Sequence, residues 1–236
     1  MFPAAFATDY DGTIATEGHV PQDVVDALRT FKATGRLILV TGRLLDELKA
    51  VFPALALFDR VIAENGAVLY EPATGRERAL AEAPPGAFVA ALRARRITPL
   101  SIGRVIVASR EPHQDAILRL IEELGLDLQV ITNKGAVMVL PAGVDKASGL
   151  RTALAELHLS PTEVMGAGDA ENDHAFLSLC GRSVAVANAL ESVKAAADIV
   201  TTAPRGAGVK EVLEGLKSRD AGGVPGRRRK PAPKDS

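Results

Sequence analysis

The run Leu37-Ile38-Leu39-Val40 narrows the fold more than any other stretch, because four consecutive apolar residues leave no face for water. A strand of that kind is covered on both sides, as in a parallel sheet flanked by helices. A helical pattern over 21–34 precedes it, with Pro21 suited to the first turn and Val24, Val25, Leu28 and Phe31 at helical spacing. The alternation extends in both directions. Residues 4–8 read as a short buried strand, LLDELKAVF as a helix, and RVIA at 60–63 as a strand ending in the turn Glu64-Asn65-Gly66. It resumes with a helix over 146–158, then strand EVMGA, helix ENDHAFLSLC, strand SVAVA, helix LESVKAAA, strand DIVT and helix GVKEVLEGL.

Between these halves the pattern changes. Residues 67–144 hold the β-rich pieces AVLYE, RVIVASR, LQVITN and AVMVLPA with two helical patterns, GAFVAALRAR and QDAILRLIEELG. Strands in runs, rather than in strict alternation with helices, predict a separate α+β unit. At about 78 residues the segment is far too long for a loop. The expected fold is therefore α/β: a doubly wound parallel core over 1–66 and 145–217, interrupted by a small α+β insertion over 67–144.

Composition excludes several function classes. Apolar residues make up 47% of the 236, enough for a large core, and no apolar segment approaches the roughly 20 residues that span a bilayer. The N-terminal apolar run lacks a basic start and breaks at Asp9, so it does not read as a signal peptide, and a cytoplasmic protein is expected. A net charge of −1 gives no bulk attraction to nucleic acid. The single cysteine, Cys180, admits no intrachain disulfide and reads as a buried thiol within AFLSLC. From Ser218 to the end, six Lys/Arg interleave with glycine and proline, which predicts a disordered basic tail. His19, His113, His158 and His174 lack metal-ligand spacing.

Four polar clusters fall at strand ends or helix starts: Asp9-Tyr10-Asp11-Gly12-Thr13, Thr41-Gly42-Arg43, Asp145-Lys146, and GDAEND from Gly168. In a doubly wound sheet those positions converge on the crevice at the carboxyl ends of the strands. Phosphoryl transfer needs an in-line nucleophile, a group to protonate the leaving oxygen and positive charge around the equatorial oxygens. Asp9, held on a strand end, suits the nucleophile, and Asp11 suits an acid that later serves as base. Negative neighbours crowding Asp11 are expected to favour its protonated form. Gly12 permits a tight turn that Thr13 can tie down. A carboxylate attacking a dianion needs a hard cation such as Mg²⁺, for which Asp169 and Asp173 offer oxygens on one face of a helix start. Lys146, Thr41 and the Gly42 amide supply donors for the phosphoryl oxygens. Taken singly, each cluster also reads as a turn, a cap or a surface lysine.

In this order the four clusters resemble the motifs of haloacid dehalogenase-superfamily phosphatases. ENGA at 64–67, the insertion and VANALESVKAAAD resemble the Cof-type subgroup (subclass IIB), in which the insertion is a cap. The resemblance covers residues 5–216. It implies Asp9 as nucleophile, Asp11 as acid/base, Mg²⁺ held by Asp9, the Asp11 carbonyl and Asp169 with Asp173 in or beside the shell, and Thr41 and Lys146 on the phosphoryl group. The short cap is similar to that of archaeal-type phosphoglycolate phosphatases, shorter than in most sugar-phosphate relatives, and implies a small phosphorylated metabolite such as phosphoglycolate or a sugar phosphate. Arg43, Arg104, Arg110 and Lys134 are cations that could meet a substrate carboxylate. Two rivals stand beside this reading: a phosphotransferase or mutase of the phosphomannomutase type, and a non-catalytic protein binding through its basic tail. Monomer and homodimer are both compatible with the sequence.

Overall fold

The computed structural model describes residues 2–221, with side chains through Leu216. The chain begins β1 (Ala5–Thr8), α1 (Gln22–Lys32), β2 (Arg36–Val40), α2 (Leu45–Val51), β3 (Arg60–Ala63), β4 (Val68–Glu71) and β5 (Arg76–Ala79). The middle consists of α3 (Gly86–Ala94), β6 (Ser101–Ile102), β7 (Val107–Arg110), α4 (Gln114–Glu123), β8 (Leu128–Asn133) and β9 (Ala136–Pro141). Then come α5 (Lys146–Leu157), β10 (Val164–Gly168), α6 (His174–Leu179), β11 (Arg182–Ala185), α7 (Glu191–Ala196), β12 (Ile199–Val200) and α8 (Arg205–Ala221).

The core is one sheet in the order β12-β11-β10-β1-β2-β3-β4-β5, parallel from β12 to β3. The apolar runs of β1 and β2 are buried at its centre, as their composition requires. From β1 the chain winds outward through β2 and β3, and from β10 it winds the other way through β11 and β12. Right-handed crossovers therefore put α1 on one face, packed on α8, and α5 with α6 on the other. The reversal falls between β1 and β10, whose carboxyl ends lie side by side. That is where a crevice opens in a doubly wound sheet.

The insertion is a separate antiparallel sheet, order β6-β7-β9-β8, with α3 and α4 against one face. Phe88, Leu92, Ile117 and Leu120 of the helices meet Val107, Val137 and Val139 of the strands in its own core. A second small cluster joins Leu45, Ala63 and Val68 to Val105, Ile106, Met138 and Leu140, and so seats the cap on the core.

Three expectations differ. The strand expected to open the insertion at 67, β4, belongs to the core sheet, paired antiparallel with β3 and followed there by β5, a strand the sequence pattern does not predict. The hairpin continues directly from β3, and β5 (RERA) is an exposed edge strand whose charges carry no apolar period to read. The helix expected from Glu171 begins at His174, after a 3₁₀ turn over Glu171–Asp173. The tail expected from Ser218 is helical to Ala221, and its remainder lies outside the described residues. Cys180 is partly buried against the core, and burial pushes its thiol up to about 12. Among the described residues, no helix is long and apolar enough to cross a membrane.

Candidate active site

Asp9 is the first residue beyond β1, and its amide donates to the Ala167 carbonyl on β10 (2.9 Å), so the crevice is stitched at its root. Strand alternation sends Asp9 and Asp11 to one side and Tyr10 to the other. Tyr10 is fully buried and donates its hydroxyl to the Gly18 carbonyl at 2.8 Å, which anchors the loop carrying both carboxylates. Gly12, at φ +89°, lies against Asp169, and any Cβ there would collide with that carboxylate. The Thr13 hydroxyl reaches Asp169 at 3.4 Å rather than its own turn.

The first residue of α5, Lys146, is buried and donates to Asp9 at 2.6 Å and to Asp173 at 2.5 Å. Asp145 caps α5 by accepting from the Ser148 amide (2.7 Å), which fixes the direction in which the lysine leaves the helix. Burial alone would depress the Lys146 ammonium, but Asp173 and Asp9 outweigh it and hold it above the ordinary lysine range. Burial pushes the Asp9 carboxyl up, Asp173 and Asp169 push the same way, and Lys146 opposes them. The site thus concentrates negative charge that one lysine balances only in part.

Asp169 and Asp173 do not share a helix turn. Asp173 folds back so that one oxygen accepts from the Asp169 and Ala170 amides (2.8 and 2.9 Å) while the other takes Lys146. Oxygens of Asp9, Asp169 and Asp173 lie within 4.8 Å of one another, a donor set that suits a hard cation. A positive group already stands there. Lys134, from the β8–β9 turn of the cap, donates to Asp169 at 2.7 Å and reaches the Asp11 carbonyl at 3.4 Å. Its ammonium stands in for a cation on two of the oxygens that the motifs suggest as metal ligands. The donors present therefore fit a divalent metal. Asn188 completes the wall, donating to the Gly12 carbonyl (2.9 Å) and Asp169 (3.3 Å).

Asp11 departs from expectation. The group facing it is a cation: Arg43 donates through Nε (2.6 Å) and Nη2 (2.7 Å) to its two oxygens, and stacks on Tyr10 with 5.3 Å to the ring centroid. Negative neighbours do not crowd it, because the carboxylates of Asp169 and Asp173 are turned toward the two lysines. The hydrogen bonds to Asp11 raise the Arg43 guanidinium further above its usual value. Thr41 is buried at the end of β2, accepts from the Arg43 amide at 3.1 Å, and lines the same cavity as Gly42.

The expected cationic positions separate. Arg104 does not line the cavity; it bridges cap to core by pairing with Asp46 and with Glu77 (3.0 Å). Arg110 lines the cavity.

Sequence reasoning missed Glu64 as a functional residue. It is a core residue, fully buried, and its carboxylate accepts from the cap amides of Arg104 (2.9 Å), Val105 (2.9 Å) and Ile106 (3.1 Å). Gly103 makes room, since a Cβ there would strike that carboxylate. Glu64 and Asn65 hold φ of +52° and +54°, while their amides bond to the carbonyls of Arg43 and Thr41. The cap is thereby latched to the segment that carries Thr41, Gly42 and Arg43. The only available signal was the ENGA stretch itself.

This arrangement has known relatives. The sequence pattern of the haloacid dehalogenase-like hydrolases matches residues 6–83 and 97–213, and the chain belongs to that family. A phosphoglycolate phosphatase of Haloarcula marismortui is 32% identical over 214 residues, covering 87% of this chain and 93% of its own. Among solved structures, a Thermoplasma acidophilum protein superposes with a TM-score of 0.78 at 18% identity, over 92% of this chain and 99% of its own. A haloacid dehalogenase subclass IIB sugar phosphatase superposes at 0.72 with 19% identity, over 90% of this chain and 98% of its own. At those identities the two structures speak for the fold, a parallel core with an antiparallel cap.

Proposed function

We propose that this protein is a phosphoric monoester hydrolase that uses Mg²⁺ and an aspartyl-phosphate to hydrolyse a small phosphorylated metabolite, with phosphoglycolate as the leading candidate. The observation that carries this reading is the pairing of Asp9 and Asp11 at the mouth of one cavity, with Lys146 on Asp9 and two further carboxylates behind. The substrate class draws on the relatives named phosphoglycolate phosphatase.

Asp9 attacks phosphorus through a carboxylate oxygen, and the bond to the ester oxygen breaks. Asp11 gives that oxygen a proton, then takes one from the water that cleaves the aspartyl-phosphate. Both Asp11 oxygens are engaged by Arg43 here, so proton delivery requires the guanidinium to turn toward the phosphate. Lys146, the Thr41 hydroxyl and the Gly42 amide hold the phosphoryl oxygens. Asp9, the Asp11 carbonyl and Asp169, with Asp173 in or beside the shell, would hold Mg²⁺, which would supply the positive charge that lets a carboxylate approach a dianion. Lys134, now on Asp169, would have to yield that oxygen to the metal.

Phosphate release from a panel of small esters, with and without Mg²⁺, tests the reading. We expect release without an added acceptor sugar, abolished by a chelator and restored by Mg²⁺. Metal-independent release, or none at all, would overturn it.

A further inference from the structure

Cross-strand register shows which cap residues face the site. Arg110 on β7 and Asn133 on β8 both pair with Ala136 on β9, so the three stand in one row on one face of the cap sheet. Two residues along, Ser101, Ala108 and Met138 form the next row of that face. The opposite face, through Val107, Val137 and Val139, is packed beneath α3 and α4. All six residues of the two rows line the cavity of about 400 Å³ whose far wall holds Asp9, Thr41 and Lys146. Ala108 and Ala136 leave open space, and Arg110 and Asn133 flank it.

Both polar residues lack a partner. Among the described residues Arg110 makes no ion pair or side-chain hydrogen bond, whereas Arg43, Lys134 and Lys146 are each bound to carboxylates. The buried Asn133 Oδ1 has none either. Its amide presents nitrogen or oxygen to the cavity with equal ease, by a half-turn. Glu47, the other acidic residue of the lining, lies close enough to Arg43 to raise it. A lone guanidinium beside an unsatisfied amide, opposite the phosphoryl end, matches a planar anion that takes two N–H bonds from one side and a third from the other. A neutral hydroxyl would leave the charge without a counter-ion.

We infer that Arg110 and Asn133 are specificity-determining residues that bind a carboxylate at the end of the substrate remote from phosphorus. The inference rests on the phosphatase reading and deepens it: the substrate class becomes small phosphate monoesters with a distal carboxylate, to the disadvantage of neutral sugars. Next to Asn133 in sequence, Lys134 stands on Asp169, so adjacent residues of the cap face the carboxylate and the metal-ligand oxygens.

The test compares phosphoglycolate with 2-hydroxyethyl phosphate, which replaces the carboxylate by a neutral alcohol. In Arg110→Met the ratio of the two kcat/KM values should fall by about 10- to 100-fold, through a raised KM for phosphoglycolate. Arg110→Lys should recover part of the ratio, and Asn133→Leu should lower it by a smaller factor. An unchanged ratio overturns the inference, including the case where both esters lose activity together. If the wild-type chain hydrolyses neither ester, the phosphatase reading fails instead. Calorimetric binding of phosphoglycolate then decides this inference, and equal affinity in wild type and Arg110→Met overturns it.

Discussion

The two walls of the cavity are built on opposite principles. On the core wall the charged side chains around Asp9 are held by others: Lys146 by Asp9 and Asp173, and Asp173 by two backbone amides. On the cap wall the cavity-facing row is small or unpartnered, with Ala136 between Arg110 and Asn133. A preorganised wall suits chemistry common to all phosphate esters, because its dipoles do not reorient during the reaction. An unsatisfied wall suits recognition, because its polar groups are completed by the substrate that fits.

The largest test of this contrast is Asp9→Asn. Turnover of any phosphate ester should drop by roughly 10⁴-fold or more while the fold survives, because the amide keeps the shape but loses the proposed nucleophile. Near-normal activity with an unaltered circular dichroism spectrum would mean that another group attacks phosphorus. Next in size is Lys146→Met. It leaves Asp9 and Asp173 buried without a counter-charge, and should cost about 3–5 kcal/mol in urea unfolding. Millimolar Mg²⁺ should raise the midpoint of this variant more than that of the wild type; equal midpoints with and without the metal would argue against a cation among these carboxylates. The smallest change is Glu64→Gln, which keeps the volume but weakens acceptors for three cap amides, at about 1–3 kcal/mol. Hydrogen exchange should quicken at Arg104, Val105 and Ile106 while β1 and β2 keep their protection. Uniform quickening across both sheets would show that cap and core do not behave as separable walls.

The contrast also explains what could be read from the chain. The core was legible because its strands announce themselves: RVIA at 60–63 is β3 residue for residue, and the apolar run of β2 could only be central. Its polar clusters were legible because each sits directly beyond a strand or at the start of a helix, where the sheet alone decides where they point. Long-range pairings left no such trace. Nothing near Lys134 indicates that it reaches Asp169, and nothing near Asp11 indicates that Arg43 will claim both its oxygens. The charged edge strand β5 went unread because its register is set by β4 rather than by its own composition. Among the cationic candidates, sequence could not separate Arg104, spent on Asp46 and Glu77, from Arg110, since that depends on which end of the cap each occupies.

The Glu64 latch has a bearing on how such a molecule could be rebuilt. The cap offers it only main-chain amides, from Arg104 to Ile106, and one glycine without a side chain. Identity at positions 104–106 is therefore nearly free as far as the latch is concerned, and the selecting row on β7, β8 and β9 is free of it altogether. A foreign cap grafted onto this core should adopt the same tilt provided that a glycine and three free amides meet Glu64 and an apolar patch meets Leu45, Ala63 and Val68. New substrate preferences could then be installed by exchanging the insertion whole, provided that the replacement also supplies cations to Asp169, Asp46 and Glu77 where Lys134 and Arg104 now stand.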